Sequence, residues 1–391
     1  MQLKKFLSSD LKLGIMAGGQ LGKMLIQEAS KWDIKTYVLD PDEHCPAGGI
    51  ASVYVKGSFK DFNDVYNFGK QVDLLTYEIE SINIAALHKL KQEGLEIIPD
   101  PSVLEMIQDK GLQKEFYRDN GIPAASFRLY NSKNDILDAI VVNEIQFPFI
   151  QKLRKGGYDG RGVAVINDEY DIKSLLEGAS VVEQKVEIEK EIAVIAARNE
   201  KGDIRCFPTV EMVFDSSANL VEKLVCPSGI PEDLSDKAKN IAAKVIDKLN
   251  MSGVLAIEFF IDKQGSILVN EMAPRPHNSG HHTIESVMTS QFEQHLRAIL
   301  NLPLGSTMLK MPSVMVNLLG EKGYEGPVRY QGLDETLAIE GVNVHLYGKK
   351  ITRPYRKMGH VTIIAKSADD AAAKAGIVKN TIKVKSWKEN S

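Results

Sequence analysis

Residues 254–282 read VLAIEFFIDKQGSILVNEMAPRPHNSGHH, and this stretch decides the fold of the middle of the chain. Two apolar runs flank Asp262-Lys263-Gln264-Gly265, a sequence that is typical of a tight turn between antiparallel strands. The stretch therefore predicts a β-hairpin. Counted from the turn, Glu258 and Glu271 fall across the ladder from each other, on one face of the hairpin.

The predicted pairing of Glu258 with Glu271 implies a cation. Two carboxylates at that separation repel each other unless a proton or a positive ion lies between them. A hard divalent ion such as Mg²⁺, which bridges the phosphates of a nucleotide, satisfies both, and Asn270 and Asn278 offer neutral oxygen ligands. The alternative is a pair of exposed strand glutamates. The apolar neighbours of Glu258 argue against that alternative.

The residues after the hairpin predict an active-site loop. Pro274 and Pro276 exclude a helix, and the surrounding residues supply a guanidinium, imidazoles and carboxamides. His277, His281 and His282 also allow a zinc site, but no cysteine and no HExxH motif accompanies them. Contact with an anionic substrate is therefore favoured over zinc. For the last two histidines we favour a structural role, in which His281 caps the following helix and His282 packs.

Residues 11–100 alternate strand and helix patterns, which is typical of a doubly wound, mostly parallel sheet. The first strand leads into residues 17–22, AGGQLG, a degraded dinucleotide-binding motif, and Asp40 ends the next strand. This pattern fits a nicotinamide-dependent oxidoreductase, or a tight turn without a ligand. Glu78 and Glu80 follow the fourth strand, either as ligands at the carboxyl edge of the sheet or as acids in the first turn of a helix.

A second glycine-rich loop follows a predicted helix at 102–120 and a predicted strand at 147–153. Residues 156–162 read GGYDGRG, four glycines in seven positions. Such a loop approaches phosphate oxygens closely and moves as a lid. A flexible hairpin is the alternative. Further strands and helices at 190–300 and short strands at 301–391 then predict a mixed central domain and a small β-rich C-terminal domain.

Composition narrows the classes of function. The chain has 391 residues, 43% hydrophobic and 26% charged, enough for two or three domains. Its net charge of −4 argues against nonspecific nucleic-acid binding. The 3 cysteines form no CxxC pair, and we find no signal peptide or membrane-length apolar run, so a cytoplasmic location is expected. Residues 349–357 are strongly basic, which indicates either a local anion site or a solvated edge.

Five sequence motifs together match those of one enzyme family. They are Gly19-Gln20-Leu21-Gly22 with Met24-Leu25, Thr76-Tyr77-Glu78-Ile79-Glu80, residues 156–162, residues 270–282, and Arg353-Pro354 with Arg356-Lys357-Met358-Gly359-His360. These motifs span nearly the whole chain and occur in the same order as in this family. By these motifs the chain resembles the N5-carboxyaminoimidazole ribonucleotide synthetases, ATP-grasp enzymes of purine biosynthesis.

The resemblance implies a fold and a reaction. The fold is α/β and α+β, with a Rossmann-like domain at 1–104, an ATP-grasp domain at 105–300 whose lid spans about 122–187, and a β-rich domain at 301–391. The reaction carboxylates the exocyclic amine of 5-aminoimidazole ribonucleotide with bicarbonate and ATP, through carboxyphosphate. Mg²⁺ is the implied cofactor, and a homodimer is the implied assembly. No nucleic-acid or membrane partner is expected.

The resemblance also implies roles for individual residues. The residues expected to contact ATP are Lys110, Lys152, Gly157, Tyr158, Asp159, Gly160, Arg161, Gly162, Val163, Glu183, Gln184, Lys185, Val186, Glu191, Asn270 and Glu271. The residues expected to contact the ribonucleotide are Gln20, Leu21, Glu78, Glu80, Arg275, His277, Asn278, Lys349 and Arg356. The expected catalytic residues are Tyr158, Asp159, Arg161 and His277, and the expected metal ligands are Glu258 and Glu271.

The chain departs from the family pattern at three positions. Lys110 stands where the family usually has arginine, so a bidentate contact becomes a point charge. Phe214 replaces a common nucleotide-contacting histidine, and Tyr355 replaces a glycine, which predicts a local change of backbone. Two alternatives stay open beside the ligase and the oxidoreductase: a formate-dependent glycinamide ribonucleotide transformylase and a non-catalytic nucleotide-binding scaffold.

Overall fold

The computed structural model describes residues 10–157, 162–214 and 220–387. The N-terminal part is a parallel sheet of order β3-β2-β1-β4-β5 with helices packed against it. Its elements are β1 (Lys12–Met16), α1 (Gln20–Ala29), β2 (Lys35–Asp40), β3 (Val53–Lys56), α2 (Phe62–Gly69), β4 (Leu74–Tyr77), α3 (Ile84–Gln92) and β5 (Glu96–Ile97). Buried apolar side chains on both faces of β1 and β4 explain the parallel arrangement, which confirms the predicted doubly wound pattern.

The prediction of a single helix at 102–120 is wrong. The structure has two helices, α4 (Pro101–Ile107) and α5 (Lys110–Asp119). The break lies at Asp109, which has an extended backbone and accepts hydrogen bonds from the N–H groups of Gly111 and Leu112. Asp109 is therefore the N-cap of α5, and the break places Lys110 at the first position of a helix.

The segment that follows α5 is a small antiparallel sheet of order β6-β9-β7-β8. Its elements are β6 (Phe127–Tyr130), α6 (Lys133–Val141), β7 (Phe149–Leu153), β8 (Val163–Ile166) and β9 (Ser180–Gln184). A 3₁₀ helix at Glu169–Ser174 connects β8 to β9. β7 and β8 flank the second glycine-rich loop, as the sequence predicts.

Most strands of the remaining chain form one large antiparallel sheet, and helices pack against it. Its order is β15-β14-β10-β12-β13-β16-β20-β18, and β11 pairs with β10. The elements of its first half are β10 (Ile188–Arg198), β11 (Ile204–Cys206), β12 (Val210–Phe214), β13 (Val221–Cys226), α7 (Glu232–Lys248), β14 (Gly253–Asp262), β15 (Ile267–Ala273), α8 (Thr283–Ser286) and α9 (Gln291–Ile299). The remaining elements are β16 (Ser313–Leu319), β17 (Gly326–Gln331), α10 (Leu333–Leu337), β18 (Val342–Leu346), β19 (Ile351–Thr352), β20 (Lys357–Ile364), α11 (Ala368–Thr381) and β21 (Lys383–Ser386).

The large sheet joins the central and C-terminal parts of the chain. β13 pairs with β16, so the strands of the C-terminal part continue the central sheet, while β19, β17 and β21 form a small separate sheet. α7 covers one face of β10 and β14 with apolar side chains. α9 packs through Phe292 and Leu296 into the core of the N-terminal part. The C-terminal strands thus join the sheet that contains the hairpin formed by β14 and β15, and α9, which contacts β14, connects that hairpin to the N-terminal part. Among the described residues, no helix is both long enough and apolar enough to cross a membrane.

Candidate active site

Glu258 and Glu271 are directly opposite each other on β14 and β15, as the hairpin predicts. The register shifts immediately beyond this pair, because Phe259 faces Val269 and Asn270 is left as the extra residue of a β-bulge. Asn270 and Glu271 therefore both reach lysines of the same site, although neighbours in a regular strand point to opposite faces. The bulge gathers two oxygen donors beside Glu258.

Burial and repulsion govern the charge of this pair. Burial raises the pKa of Glu258 well above its usual range, and the nearby carboxylates of Glu271 and Glu191 raise it further. The side chain of Glu271 is 49% exposed, so its partial burial raises its pKa only weakly, and the ammonium of Lys110 holds that pKa below its usual value. Glu271 is consequently ionised, whereas the ammonium groups of Lys357 and Lys110 only partly offset the effect of burial on the pKa of Glu258.

Two lysines approach the bulge from other elements. Nζ of Lys110, at the start of α5, donates to Oε2 of Glu271 at 3.1 Å. Nζ of Lys152, on β7, donates to Oδ1 of Asn270 at 3.0 Å and lies 3.0 Å from Oε2 of Glu183. The structure therefore brings together residues from the hairpin, the small sheet and α5, as expected for the walls of a nucleotide site.

Glu183 is held by a second lysine that the sequence analysis missed. Lys114, on α5, is 3% exposed and its Nζ lies 3.0 Å from Oε1 of Glu183. Burial opposes ionisation of Glu183, yet Lys152 and Lys114 hold the pKa of its carboxyl group below its usual value. A carboxylate compensated by two ammonium groups stays paired when one of them turns to another anion. The helical pattern alone contained no signal for this burial, since lysine is ordinarily exposed.

The second glycine-rich loop starts from a strand end fixed by an ion pair. Arg154 follows β7 and donates through Nε and Nη2 to the two carboxylate oxygens of Asp109, at 2.8 and 2.9 Å. The N–H of Leu153 donates to the carbonyl oxygen of Gly162, which closes the base of the loop. Gly157, Gly162 and Val163 lie at that base. The predicted residues of the loop tip, Tyr158, Asp159, Gly160 and Arg161, lie outside the described residues.

The other residues predicted to bind ATP lie around the end of β9. Gln184 and Lys185 are exposed and Val186 is half-buried. Lys185 donates to Oδ1 of Asn167 at 2.7 Å, so its ammonium group is engaged at the surface. Glu191 lies on β10, where burial, aided by Glu271 and opposed by Lys152, raises its pKa to about 7.

Glu78 reaches the N-terminus of α1. Its Oε1 accepts from the N–H of Gly19 at 2.7 Å, and its Oε2 accepts from the N–H of Gly22 at 3.2 Å. Burial raises the pKa of Glu78 to about 7, although these N–H groups and Arg275 favour its ionised form. Gln20 begins α1 and is partly exposed. Leu21 is 7% exposed and packs in the N-terminal core, so only its backbone is available to a ligand.

Asp40 has a structural role that weighs against the oxidoreductase alternative. Its Oδ2 accepts from the N–H of Gly18 at 2.7 Å, and its Oδ1 accepts from the N–H of Asp42 at 2.9 Å. The carboxylate that a nicotinamide site would offer to a ribose thus closes the first glycine-rich turn instead.

The polar loop after β15 faces both the hairpin and the N-terminal sheet. Nη2 of Arg275 lies 2.7 Å from Oε1 of Glu80. Nε2 of His277 lies 3.8 Å from Oε1 of Glu258, and burial lowers the pKa of this imidazole to about 3. His277 is therefore neutral. Its Nδ1 accepts from the N–H of Ser279 at 3.3 Å, which leaves the proton on Nε2.

Asn278 is paired with a residue that the sequence analysis did not single out. Its Nδ2 donates to Oδ1 of Asn317 at 3.0 Å, and Nδ2 of Asn317 donates back to Oδ1 of Asn278 at 3.2 Å. Asn317 lies on β16, in the C-terminal part of the large sheet. This amide pair fixes the polar loop against a third part of the chain.

The basic segment of residues 349–357 is a partly buried cluster beside Glu78. Lys349 donates to the carbonyl oxygen of Lys357 at 2.8 Å. Burial, with Arg356 acting in the same direction, lowers the pKa of Lys349 to about 8, whereas Glu78 raises it. Arg356 donates to the carbonyl oxygen of Ile351 at 2.6 Å. A solvated edge would not bury an ammonium group, so the geometry favours an anion site.

Tyr355 and Phe214 are the remaining departures from the family pattern. Tyr355 has a φ of 62°, in the left-handed region that glycine favours, so the backbone keeps a glycine-like conformation there. Phe214 is half-buried at the end of β12 and packs against the cluster that contains Leu224. Its ring offers no hydrogen bond to a nucleotide.

The zinc alternative finds no support in the described residues, which contain no group of three or more His, Cys, Asp or Glu side chains that could hold a metal. His281 does not cap the following helix, which corrects that prediction. Its ring stacks against Phe292 and lies 4.7 Å from the ring of His360. His282 is buried, as predicted, with Nδ1 2.9 Å from Oγ of Ser286.

One surface cavity lies elsewhere on the protein. It has a volume of about 600 Å³, and its lining includes Arg205, Cys206, Lys239, Leu304 and Leu309. It includes none of the predicted site residues. The site is therefore defined by its converging charged groups rather than by cavity size.

Family models match three segments of the chain. A ribonucleotide synthetase preATP-grasp domain matches residues 11–108, an ATP-grasp domain matches residues 115–292, and a phosphoribosylaminoimidazole carboxylase C-terminal domain matches residues 313–374. These matches agree with the α/β and α+β fold described above.

Known relatives extend over almost the whole chain. The N5-carboxyaminoimidazole ribonucleotide synthase of Bacillus subtilis is 37% identical over 372 residues, which cover 94% of this chain and 95% of that protein. The crystal structure of the synthetase from Thermotoga maritima is 48% identical, with a TM-score of 0.88 over 96% of this chain and 99% of that chain.

A third relative was solved with both kinds of ligand. The enzyme from Aspergillus clavatus, in complex with ADP and 5-aminoimidazole ribonucleotide, is 32% identical, with a TM-score of 0.87 over 95% of this chain and 98% of that chain. On these similarities, the chain belongs to the N5-carboxyaminoimidazole ribonucleotide synthase family of ATP-grasp ligases.

Proposed function

We propose that this chain carboxylates the exocyclic amine of 5-aminoimidazole ribonucleotide, with bicarbonate as the carbon source and ATP as the driving force. The products are N5-carboxyaminoimidazole ribonucleotide, ADP and phosphate. The observation that carries this proposal is the opposed pair of Glu258 and Glu271, flanked by a bulged Asn270 and two lysines. This arrangement supplies the charges that a nucleotide triphosphate with its metal requires.

The residues of the bulge fit Mg²⁺. Glu258 is a buried carboxyl group whose charge Lys357 and Lys110 compensate only in part, and Glu271 is ionised beside it. Hard oxygen donors suit this ion, which usually keeps water and phosphate ligands and takes only one or two protein carboxylates. Glu258 and Glu271 would hold the ion, with Asn270 beside them. When bound, Mg²⁺ neutralises charge on the transferring phosphoryl group.

The lysines and the glycine-rich loop bind the nucleotide in this proposal. Lys110 and Lys152 leave their protein partners and contact phosphate oxygens, while Lys114 stays with Glu183. The segment from Glu183 to Val186 lines the adenine pocket, and Glu191 lies near the ribose. The loop of residues 157–163 covers the phosphates. Its tip, with Tyr158, Asp159 and Arg161, lies outside the described residues and is assigned to bicarbonate and the amine.

The chemistry needs positioning more than covalent catalysis. A bicarbonate oxygen attacks the γ-phosphorus, the bond from phosphorus to the β-phosphate oxygen breaks, and ADP leaves. The ribonucleotide amine then attacks the carbon of carboxyphosphate and displaces phosphate, or it attacks CO₂ after carboxyphosphate has split into CO₂ and phosphate. In both routes the amine loses a proton, which the hydrogen phosphate product carries in the overall balance. Clamped cationic groups in a water-poor site stabilise the charge that develops on the phosphoryl oxygens.

The ribonucleotide lies between the polar loop and the basic segment in this proposal. Lys349 and Arg356 contact its phosphate, since they are neighbouring cations and Lys349 also interacts with Glu78 at the N-terminus of α1. Gln20, the backbone of Leu21, Glu78 and Glu80 form one wall. Arg275, neutral His277 and Asn278 form the other. The neutral imidazole donates a hydrogen bond from Nε2 without adding charge.

Domain limits, assembly and location complete the proposal. We keep the limits at 104/105 and 300/301 with a lid at about 122–187, a homodimer, and a cytoplasmic location without a nucleic-acid or membrane partner. The three thiols, Cys45, Cys206 and Cys226, are all unpaired, which suits a reducing compartment. Light scattering on the purified protein tests the dimer, because a monomer mass at micromolar concentration would exclude it.

The test is release of ADP by purified protein in the presence of Mg²⁺. We expect release to need ATP, bicarbonate and aminoimidazole ribonucleotide together. ADP release that the ribonucleotide does not stimulate would overturn the proposal. Phosphate release that depends on formate and glycinamide ribonucleotide would assign the chain to the transformylase reaction instead.

A further inference from the structure

Gln291, the first residue of α9, is fully buried and pairs with the backbone of the active-site loop. Its Oε1 accepts from the N–H of His277 at 2.9 Å, and its Nε2 donates to the carbonyl oxygen of His277 at 2.7 Å. The same Nε2 lies 3.2 Å from Nδ1 of His281. One side chain thus satisfies both backbone groups of His277, as a neighbouring strand would.

The loop is built around this carboxamide. A Cβ at Gly280 would lie 2.3 Å from Oε1 of Gln291, so any side chain at position 280 would displace the amide. The N–H of Gln291 donates to Oγ1 of Thr283 at 2.9 Å, and Oγ1 of Thr283 donates to the carbonyl oxygen of Gly280 at 2.5 Å. Three residues therefore close the loop onto the start of α9.

This contact links the two walls of the proposed ribonucleotide site. α9 is anchored in the N-terminal core by Phe292 and Leu296, in the part of the chain that also carries Glu78. His277 lies at the other wall, with Nε2 3.8 Å from Oε1 of Glu258. Because Gln291 holds the backbone of His277, it determines where the imidazole lies relative to the two walls of the site.

We propose that Gln291 is a positioning residue for the carboxylation reaction, which holds His277 in place through its two backbone hydrogen bonds. This inference rests on the proposed function, because it assigns the effect to the ribonucleotide half of the site. Misplacing a positioned group by a small distance slows an enzyme strongly even when no catalytic atom is removed.

The same helix offers a matched control. Gln294 is also fully buried, and its carboxamide makes the same kind of pair with one backbone residue. Its Nε2 donates to the carbonyl oxygen of Gly305 at 3.0 Å, and its Oε1 accepts from the N–H of Gly305 at 2.8 Å. Gly305 lies in the connection between α9 and β16, outside the active-site loop. Apart from the contact of Gln291 with His281, the two glutamines therefore bind backbone in the same way and differ in which backbone they bind.

The experiment compares Gln291→Met with Gln294→Met in the full chain. Both variants lose two hydrogen bonds to buried backbone, so both should lower the midpoint of thermal unfolding. Only Gln291→Met should lower kcat/KM for aminoimidazole ribonucleotide, by about 10- to 100-fold. The KM for ATP should stay within about twofold of wild type in both variants. Hydrogen exchange should become faster across residues 276–282 in Gln291→Met alone.

A second variant tests the same contact without removing the glutamine. Gly280→Ala should push the carboxamide away from His277 and reproduce the kinetic loss, which keeps the test decisive if Gln291→Met does not fold. Equal kinetic losses in the Gln291 and Gln294 variants, or wild-type exchange at His277 in Gln291→Met, would overturn the positioning role. Absence of ribonucleotide-dependent turnover in the wild type would instead count against the proposed function, because the exchange measurement stands without it.

Discussion

Glu258 and Glu271 face each other across β14 and β15, and the extra residue of the adjacent bulge, Asn270, points to the same site. The pair combines an ionised carboxylate held by Lys110 with a buried carboxyl group whose pKa stays raised although Lys357 and Lys110 favour its ionised form. In the protein alone, burial and the neighbouring carboxylate disfavour the ionised form of Glu258. A divalent ion that arrives with a nucleotide would relieve this repulsion, which would tie the geometry of the hairpin to phosphoryl transfer.

We expect Glu271→Gln and Glu258→Gln to keep the fold and lose turnover. The loss should reach several orders of magnitude, because the metal contributes several kcal/mol of charge stabilisation in the transition state. Glu258→Gln should also be at least as stable as wild type at pH 8, since it removes a repelled carboxylate. ADP release and thermal unfolding measure the two effects.

The control for these variants is Glu222→Gln. Glu222 lies on β13 of the same sheet and its carboxylate contacts Lys379, away from the site. It should keep wild-type turnover. The combination of Mg²⁺ and ADP should raise the unfolding temperature of Glu222→Gln but not of Glu271→Gln. A normally active Glu271→Gln enzyme would remove the metal role from this pair.

Glu78 should make stability depend on pH. Its folded-state pKa, about 7, lies above the usual value of 4.5, so the folded protein binds the extra proton between these two values. Its contribution to stability is therefore fully present below pH 4.5 and is lost as the pH rises through 7. One pKa unit corresponds to about 1.4 kcal/mol, so the loss amounts to a few kcal/mol.

The measurement is the free energy of unfolding of wild type minus that of Glu78→Gln, followed from pH 5 to pH 8. The subtraction removes the contributions of titrating groups that do not interact with Glu78, whereas Lys349, whose pKa Glu78 raises, stays coupled to it. We expect the difference to fall as the pH rises. A difference that stays flat or increases would show that the helix N-terminus, and not burial, dominates this carboxyl group.

Replacing Lys114 should lower the stability of the fold and raise the KM for ATP. Lys114→Met leaves Glu183 with only Lys152, which breaks a buried ion pair and should cost about 3 kcal/mol. Lys152 would then be held by the uncompensated carboxylate, so the KM for ATP should rise. The double variant Lys114→Met/Glu183→Gln should recover part of the stability. A Lys114→Met protein as stable as wild type would refute the burial of this charge.

The left-handed backbone at Tyr355 should determine which replacement, glycine or alanine, gives the more stable protein. At an ordinary exposed loop position, glycine is less stable than alanine by about 0.5–1 kcal/mol. Because Tyr355 has a φ of 62°, Tyr355→Gly should instead be more stable than Tyr355→Ala, by about 1 kcal/mol. Chemical denaturation of the two variants gives the sign. Alanine being the more stable replacement would contradict a left-handed backbone at this position.

Much of the fold was predictable because local patterns and burial agree. The apolar strands β1 and β4, the turn at residues 262–265 and the opposition of Glu258 and Glu271 all follow from periodicity and turn chemistry. The break at Asp109 was missed, although an aspartate three residues before an apolar position is an N-cap signal. β6, α6 and β13 were also missed.

The finer geometry of the site depends on contacts between distant segments. The bulge at Asn270 depends on the register of two strands, and Glu78 reaches the start of α1 only because β4 lies beside β1. The burial of Lys114 and the pairing of Gln291 with His277 join segments that no local pattern connects. Tertiary packing decides such contacts.

The most direct test traces the carbon atom of bicarbonate into the ribonucleotide product. Purified protein would be given ¹³C-bicarbonate, ATP, Mg²⁺ and aminoimidazole ribonucleotide at mildly alkaline pH, and ¹³C NMR spectra would be recorded at once. We predict a carbamate resonance on the ribonucleotide that grows with one equivalent of ADP and is absent without ATP. Release of ADP without ¹³C in the ribonucleotide would contradict the account.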